Sequence, residues 1–127
     1  MRMHGHTPDP LTRLALLCRD GHHSTPIRRE RLAIQTLALA CTAARDMCSR
    51  GWLRLCDVDC AATDASAWCL GEGLRRFDPS LARWSTFVSN AVRREARRIA
   101  AEEARQVRLK KNLRRNQTEE IDGSEED

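Results

Sequence analysis

The chain has 127 residues and a formal charge of +4, and Lys, Arg, Asp and Glu make up 31% of it. This length suits one domain with a modest core, and the abundance of helix formers beside a complete lack of Tyr disfavours a sheet. No N-terminal stretch is apolar over the length of a signal peptide or a membrane span. The composition therefore predicts an all-α protein of a bacterial cytoplasm.

Charge is distributed unevenly along the chain. Residues 93–115 carry ten Arg or Lys against three Glu, whereas residues 116–127 carry six acidic residues and no basic one. This pattern is typical of a surface that binds a polyanion, and it also fits a solvated charged helix followed by a disordered end. We expect a loose N-terminus at residues 1–8, one helical domain at 9–115 and a disordered acidic tail at 116–127.

Two signatures of a capping residue followed by proline predict the first two helices. Asp9 precedes Pro10, and Thr25 precedes Pro26, so a polar side chain can cap while proline takes the first helical position. The first helix is predicted over about residues 10–20. The second is predicted from Pro26 to Gly51. Apolar residues at helical spacing predict the core stripe of the second helix, which consists of Ile34, Leu37, Cys41, Ala44 and Cys48.

A third helix is predicted from acidic caps at Asp57 and Asp59 to about Arg76. Helical spacing gives it two distinct sides. The side expected in the core carries Ala67, Leu70 and Leu74. The other side is an acidic and aromatic stripe of Asp64, Trp68 and Glu72. Gly71 and Gly73 weaken this helix, which predicts either a close approach of a partner backbone or a strained C-terminal end.

A turn at residues 77–80 precedes the longest helix, which Ser85 or Thr86 can cap. Its predicted core stripe consists of Val88, Val92, Ala96, Ile99 and Val107. The opposite side carries Arg94, Arg97, Arg98, Arg105 and Arg108. A helix that buries one stripe and carries arginines on the other suits nucleic acid, because a guanidinium can bind a phosphate or a base edge.

The sequence contains few of the patterns that catalysis or cofactor binding needs. Its six cysteines include no Cys-x-x-Cys pair, and only Cys56 and Cys60 have a ligand-like spacing. It has no Ser/His/Asp set and no glycine-rich phosphate loop. We therefore expect neither an enzyme nor a cofactor, metal or disulfide.

The stretch from Phe77 to Leu109 carries the motifs of a known family. It reads Phe77-Asp78-Pro79, then Trp84-Ser85-Thr86-Phe87, and then Ala-Glu-Glu-Ala-Arg-Gln-Val-Arg-Leu over residues 101–109. These motifs resemble F-D-P, F-S-T-Y and A-D-Q-A-R-T-I-R in region 2 of the bacterial sigma-70 family of RNA polymerase factors. The match has no gap over residues 84–109. The second and third helices resemble the family only in length and order.

The resemblance implies a compact bundle of about four helices that binds the clamp helices of core RNA polymerase and the non-template strand of the promoter −10 region. It implies no membrane partner. The residues expected to bind DNA are Arg83, Trp84, Phe87, Asn90, Arg93, Arg94, Arg97, Arg98 and Arg105. Trp84 occupies a position that is usually a core Phe in the family, so it is more readily a core residue than a platform for bases. The residues expected to bind polymerase are Asp64, Trp68 and Glu72.

The sequence also departs from the family pattern. Asn90 and Ala91 stand where primary sigma factors have the Trp pair that opens the duplex. Asp64 and Ala65 stand where the family has the Gln-Glu pair that binds the clamp helices. Since no segment for −35 recognition follows, we expect a minimal factor, one half of a two-part factor whose second chain reads the −35 element, or a phage or mobile-element protein. The alternative is a sigma-mimicking regulator that binds polymerase or a partner without opening DNA.

Overall fold

The computed structural model describes the backbone of residues 8–125 and the side chains of residues 8–118. This part of the chain is all-α and contains no strand, which confirms the predicted fold class. Five α-helices follow in order, with a 3₁₀ turn at Leu55–Asp57 and a π turn at Cys69–Gly73. The helices are α1 (Pro10–Arg19), α2 (Pro26–Ser49), α3 (Val58–Trp68), the one-turn α4 (Leu74–Arg76) and α5 (Trp84–Glu125).

The first two helices begin where the sequence predicts. The Asp9 carboxylate accepts a hydrogen bond from the backbone N–H of Thr12, and the Thr25 hydroxyl accepts one from the N–H of Arg28. These bonds satisfy N–H groups that have no partner inside a helix. After α2 the chain reverses at Gly51, whose φ of 81° is the left-handed conformation that glycine tolerates best.

The core stripe predicted for α2 is wrong in most of its members. Ile34 is 62% exposed and Leu37 is 42% exposed, and Cys41 and Cys48 are half-buried. The buried residues of α2 are Leu32, Thr36, Ala40, Ala44 and Met47. This side of α2 packs against α3, which buries Ala61, Ala62 and Ala65. Alanines on both helices let the backbones approach closely, and they select a side of α2 that the more apolar Ile34 and Leu37 do not share.

The third predicted helix is divided by the π turn. The expected core side is also wrong here, because Ala67 is exposed and Leu70 and Leu74 are half-buried. Cys69 and Gly73 are buried instead. A π turn has i→i+5 hydrogen bonds and holds more residues than an α turn, so the side chains after it are rotated from their α-helical positions.

The last helix begins at Trp84, one residue before the predicted cap Ser85, so Ser85 and Thr86 lie within its first turn. Val88, Val92 and Ala96 are buried as predicted. Ile99 is half-buried and Val107 is 55% exposed, so the predicted stripe ends at Ala96.

The chain divides into two compact units, Met1–Ala96 and Arg97–Asp127. The helix extends through Glu125 into the segment that the sequence predicts to be disordered. Most of the predicted loose N-terminus, residues 1–7, lies outside the described residues. Within residues 8–125, none of the helices combines the length and the apolar character that crossing a membrane requires.

Candidate nucleic-acid interface

Trp84 fixes the start of α5 in the core of the first unit. Its side chain is 0% exposed, and its indole N–H donates a hydrogen bond of 2.9 Å to the hydroxyl of Thr36 on α2. Its backbone N–H donates a bond of 3.0 Å to the hydroxyl of Thr12 on α1, which itself donates to Asp9. Trp84 therefore cannot stack on a base here, and its core interpretation is confirmed over its predicted role in DNA binding.

Trp84 belongs to a cluster of four aromatic residues. The Phe87 ring stacks on Trp84, with centroids 5.3 Å apart, and on Trp68 of α3, with centroids 5.6 Å apart. Phe77 meets both Trp84 and Phe87 in edge-to-face contacts. The Phe77 carbonyl also accepts a hydrogen bond from the Arg19 guanidinium of α1. Phe87 is half-buried between rings, so it helps attach α5 to α3.

Trp68 occupies the outer end of this aromatic stack. The guanidinium carbon of Arg94 lies 4.1 Å from the centroid of the Trp68 ring, which is within cation–π distance. Trp68 is half-buried and Arg94 is exposed. On the inner side, a Cβ atom added to Gly73 would lie 2.8 Å from Cζ3 of Trp68. The close approach at Gly73 is therefore that of the Trp68 ring and not of a partner backbone.

The solvent side of α5 in the first unit is polar and basic. Asn90, Arg93 and Arg94 are exposed there, and Arg83 is exposed just before the helix begins. The three helical residues lie on the side of α5 opposite the buried Val88 and Val92, as a rotation of 100° per residue requires. Ala91, which aligns with one of the duplex-opening aromatics, is 2% exposed. This surface combines cations and one amide with no aromatic side chain from the helix itself.

The second unit is a charged helix whose side chains are described to residue 118. Arg97, Arg98 and Arg105 are exposed on it. Arg105 binds the Glu102 carboxylate through two nitrogens, at 2.7 and 3.2 Å. This contact is the main reason that the pKa of Glu102 is lowered, with a further contribution from the side chain of Gln106. Arg105, a predicted DNA contact, is therefore already paired within the unit.

The predicted polymerase face is not one exposed stripe. Asp64 is exposed and accepts a hydrogen bond from the thiol of Cys60, and Glu72 is exposed and forms ion pairs with Arg75 and Arg76. Trp68, the expected centre of the stripe, turns toward Phe87 on α5. The π turn lies between Trp68 and the short α4, so a spacing of four residues does not keep Glu72 on the same side.

Two threonines that the sequence analysis did not select organise this region. Thr12 and Thr36 are 2% and 0% exposed, and both accept hydrogen bonds from Trp84. The sequence signal for them is a spacing of three or four residues from a buried residue of the same helix, with a tryptophan elsewhere that needs an acceptor. The hydrogen bond between Trp84 and Thr36 joins residues 48 positions apart in the sequence, so local periodicity cannot reveal it.

The described part of the chain contains no candidate metal site. No group of three or more His, Cys, Asp or Glu residues is placed to hold an ion there. Burial raises the pKa of Cys69 to about 12 and also raises that of Cys18, which keeps both thiols protonated.

Comparisons of the chain with protein-family models, with curated proteins and with solved structures give no match.

Proposed function

We propose that this chain is a sigma-like transcription initiation factor that binds core RNA polymerase and the −10 region of promoter DNA. A second chain would supply −35 recognition, as in a two-part factor. The observation that carries the proposal is the orientation of α5. Trp84 is fixed in the core at its start, so Asn90, Arg93 and Arg94 point to solvent at positions that match the DNA-reading helix of the sigma-70 family.

The charge of this surface supports nucleic acid as the ligand. Arg93 and Arg94 belong to the first unit, and the second unit carries eight Arg or Lys over residues 97–115. Guanidinium groups bind phosphates in two-pronged geometry, and each phosphate contact releases counterions. Binding of this kind should weaken steeply as salt concentration rises.

Transcription in vitro with bacterial core polymerase and a promoter library tests the proposal. We expect transcripts that depend on the −10 sequence and decrease when Arg93 is changed to Ala. Arg45→Ala is the matched control, because Arg45 is an exposed arginine of α2 and not of α5. Absence of both polymerase association and promoter-dependent transcripts, with and without candidate partner chains, would refute the proposal.

One observation favours a second function, a regulator with the sigma shape that binds polymerase or a partner without opening DNA. Asn90 is a polar residue and Ala91 is buried, so neither can insert an aromatic ring into a duplex. Competition with a housekeeping sigma factor distinguishes the two functions. Inhibition of transcription without new transcripts supports the regulator, whereas new promoter-dependent transcripts support the initiation factor.

A further inference from the structure

Trp68 lies between two residues of α5 that are two helical turns apart. Seven residues of α-helix rise about 10.5 Å. The Trp68 ring centroid is 5.6 Å from the Phe87 ring centroid and 4.1 Å from the Arg94 guanidinium carbon. The indole therefore contacts both residues of α5, and we call the face under the Arg94 guanidinium its outer face.

The two contacts of Trp68 differ in how readily they can be replaced. Phe87 is held by Trp84 and Phe77, and Gly73 lets the indole lie directly on the π turn. The inner face and one edge of Trp68 are thus fixed by the core. Arg94 is exposed, and its guanidinium lies over the outer face at the end of a flexible side chain.

We propose that the outer face of Trp68 is a stacking platform for one unpaired base of a DNA strand, and that Arg94 covers this face until the base displaces it. The proposal rests on the proposed function and assigns Trp68 to DNA rather than to polymerase. Once displaced, the Arg94 guanidinium can bind a phosphate beside the stacked base. Trp84 and Phe87, the aromatics that the sequence suggested for stacking, support the platform from below.

The relative strengths of the two contacts favour the exchange. Stacking of a base on an aromatic side chain is worth about five- to 150-fold in affinity. An exposed cation–π contact is worth about two- to fivefold. A base can therefore replace Arg94 over the ring, and the released guanidinium gains a phosphate contact in return.

Binding of two single-stranded probes of equal charge tests the platform: a 12-nucleotide oligothymidine and a 12-nucleotide strand of abasic sites. Fluorescence anisotropy is measured over a salt series with the full chain. We expect the wild-type protein to prefer the thymidine strand by about fivefold or more. Trp68→Leu should lose this preference and keep the salt dependence, and Trp68→Phe should keep most of the preference.

Trp52→Leu is the matched control. Trp52 is 58% exposed and has its own arginine, with the guanidinium carbon of Arg50 5.4 Å from the ring centroid. It lies between α2 and the 3₁₀ turn, on neither α3 nor α5, so its replacement should leave the base preference unchanged. A loss of preference in Trp52→Leu equal to that in Trp68→Leu would overturn the assignment to Trp68.

Arg94→Ala provides a second variant that leaves the packing of Trp68 on Phe87 and Gly73 in place. It should keep or increase the base preference, because nothing then covers the ring, while the salt slope decreases by about 0.7. A lower base preference in Arg94→Ala, or an unchanged preference in a folded Trp68→Leu, would overturn the platform. Failure of the wild-type protein to bind either strand would instead refute the proposed function.

Discussion

The indole N–H of Trp84 donates a hydrogen bond of 2.9 Å to the hydroxyl of Thr36, and both side chains are fully buried. This bond links the start of α5 to the middle of α2. Because Arg93 and Arg94 follow Trp84 on α5 within the first unit, the bond also sets the direction in which these two arginines point. The stability of the first unit and the exposure of Arg93 and Arg94 therefore depend on the same pair of residues.

Replacing Thr36 by Val should lower the free energy of unfolding by about 1–3 kcal/mol, because the buried Trp84 N–H is left without an acceptor. Thr36→Ser keeps the hydroxyl and should recover most of the loss. Thr42→Val is the control, since Thr42 is exposed and donates only to the Ala38 carbonyl of its own helix. Urea unfolding measures all three. Equal stability of Thr36→Val and Thr42→Val would show that the bond contributes nothing.

Replacing Gly73 by Ala should destabilise the first unit and loosen Trp68, because the new Cβ would lie 2.8 Å from the Trp68 ring and 3.0 Å from the Trp68 carbonyl oxygen. Gly71→Ala is the matched control in the same π turn, where a Cβ would meet nothing within 4 Å. That change should be neutral or stabilise by about 0.4–1 kcal/mol. Thermal unfolding compares the two variants. The steric explanation fails if Gly73→Ala is as stable as Gly71→Ala.

The cap of α1 should depend on pH. The hydrogen bond from the Thr12 side chain is the main reason that the pKa of Asp9 is lowered in the folded protein. A lowered folded-state pKa means that the carboxylate stabilises the fold above the unfolded pKa of about 3.9. This contribution is lost as the pH falls through the folded-state pKa.

Asp9→Ala should therefore cost about 0.5–2 kcal/mol at pH 7, and the difference from wild type should disappear in acid. Asp9→Asn can cap without titrating, so it should keep stability at both ends of the range. Urea unfolding between pH 2.5 and 7 is the measurement. A constant difference between Asp9→Ala and wild type across this range would contradict the titration of Asp9.

Thiol reactivity should divide the cysteines by burial. The buried Cys69 has a pKa of about 12, so almost none of it is thiolate at pH 8, and Cys18 is buried with a raised pKa. Cys56 is exposed and should react first with iodoacetamide. Mass spectrometry of samples taken over time measures the order in which the cysteines are labelled. Unfolding the protein in urea should abolish the differences in labelling rate. Labelling of Cys69 in the folded protein as fast as Cys56 would disprove its burial.

The sequence predicted helices better than it predicted the sides that they bury. Asp9-Pro10 and Thr25-Pro26 are local signals, and both helices begin there. The core stripe of α2 depends on its partner, because the alanines of α3 select the side with Ala40 and Ala44. Local periodicity alone chose the more apolar Ile34, which is exposed.

The candidate site was predicted only in part, because helical spacing is a local signal and contacts between helices are not. Exposure of Arg93 and Arg94 follows from helical spacing once the buried stripe of α5 is known. The contact of Arg94 with Trp68 joins residues of different helices, and no sequence pattern contains it. The position of Trp68 also depends on the π turn, which has no simple sequence signature beyond two glycines.

The π turn at Cys69–Gly73 also affects how this chain is aligned with straight-helix proteins. A π turn accommodates an inserted residue within an otherwise continuous helix, so the sequences before and after it are offset by one relative to an uninterrupted α-helix. If an alignment without gaps is continued from Phe77 back to Asp64, it therefore pairs residues of this chain with residues of an uninterrupted helix that point in different directions. Residue equivalences on α3 should be counted from its own start at Val58, and those near Phe77 from α5.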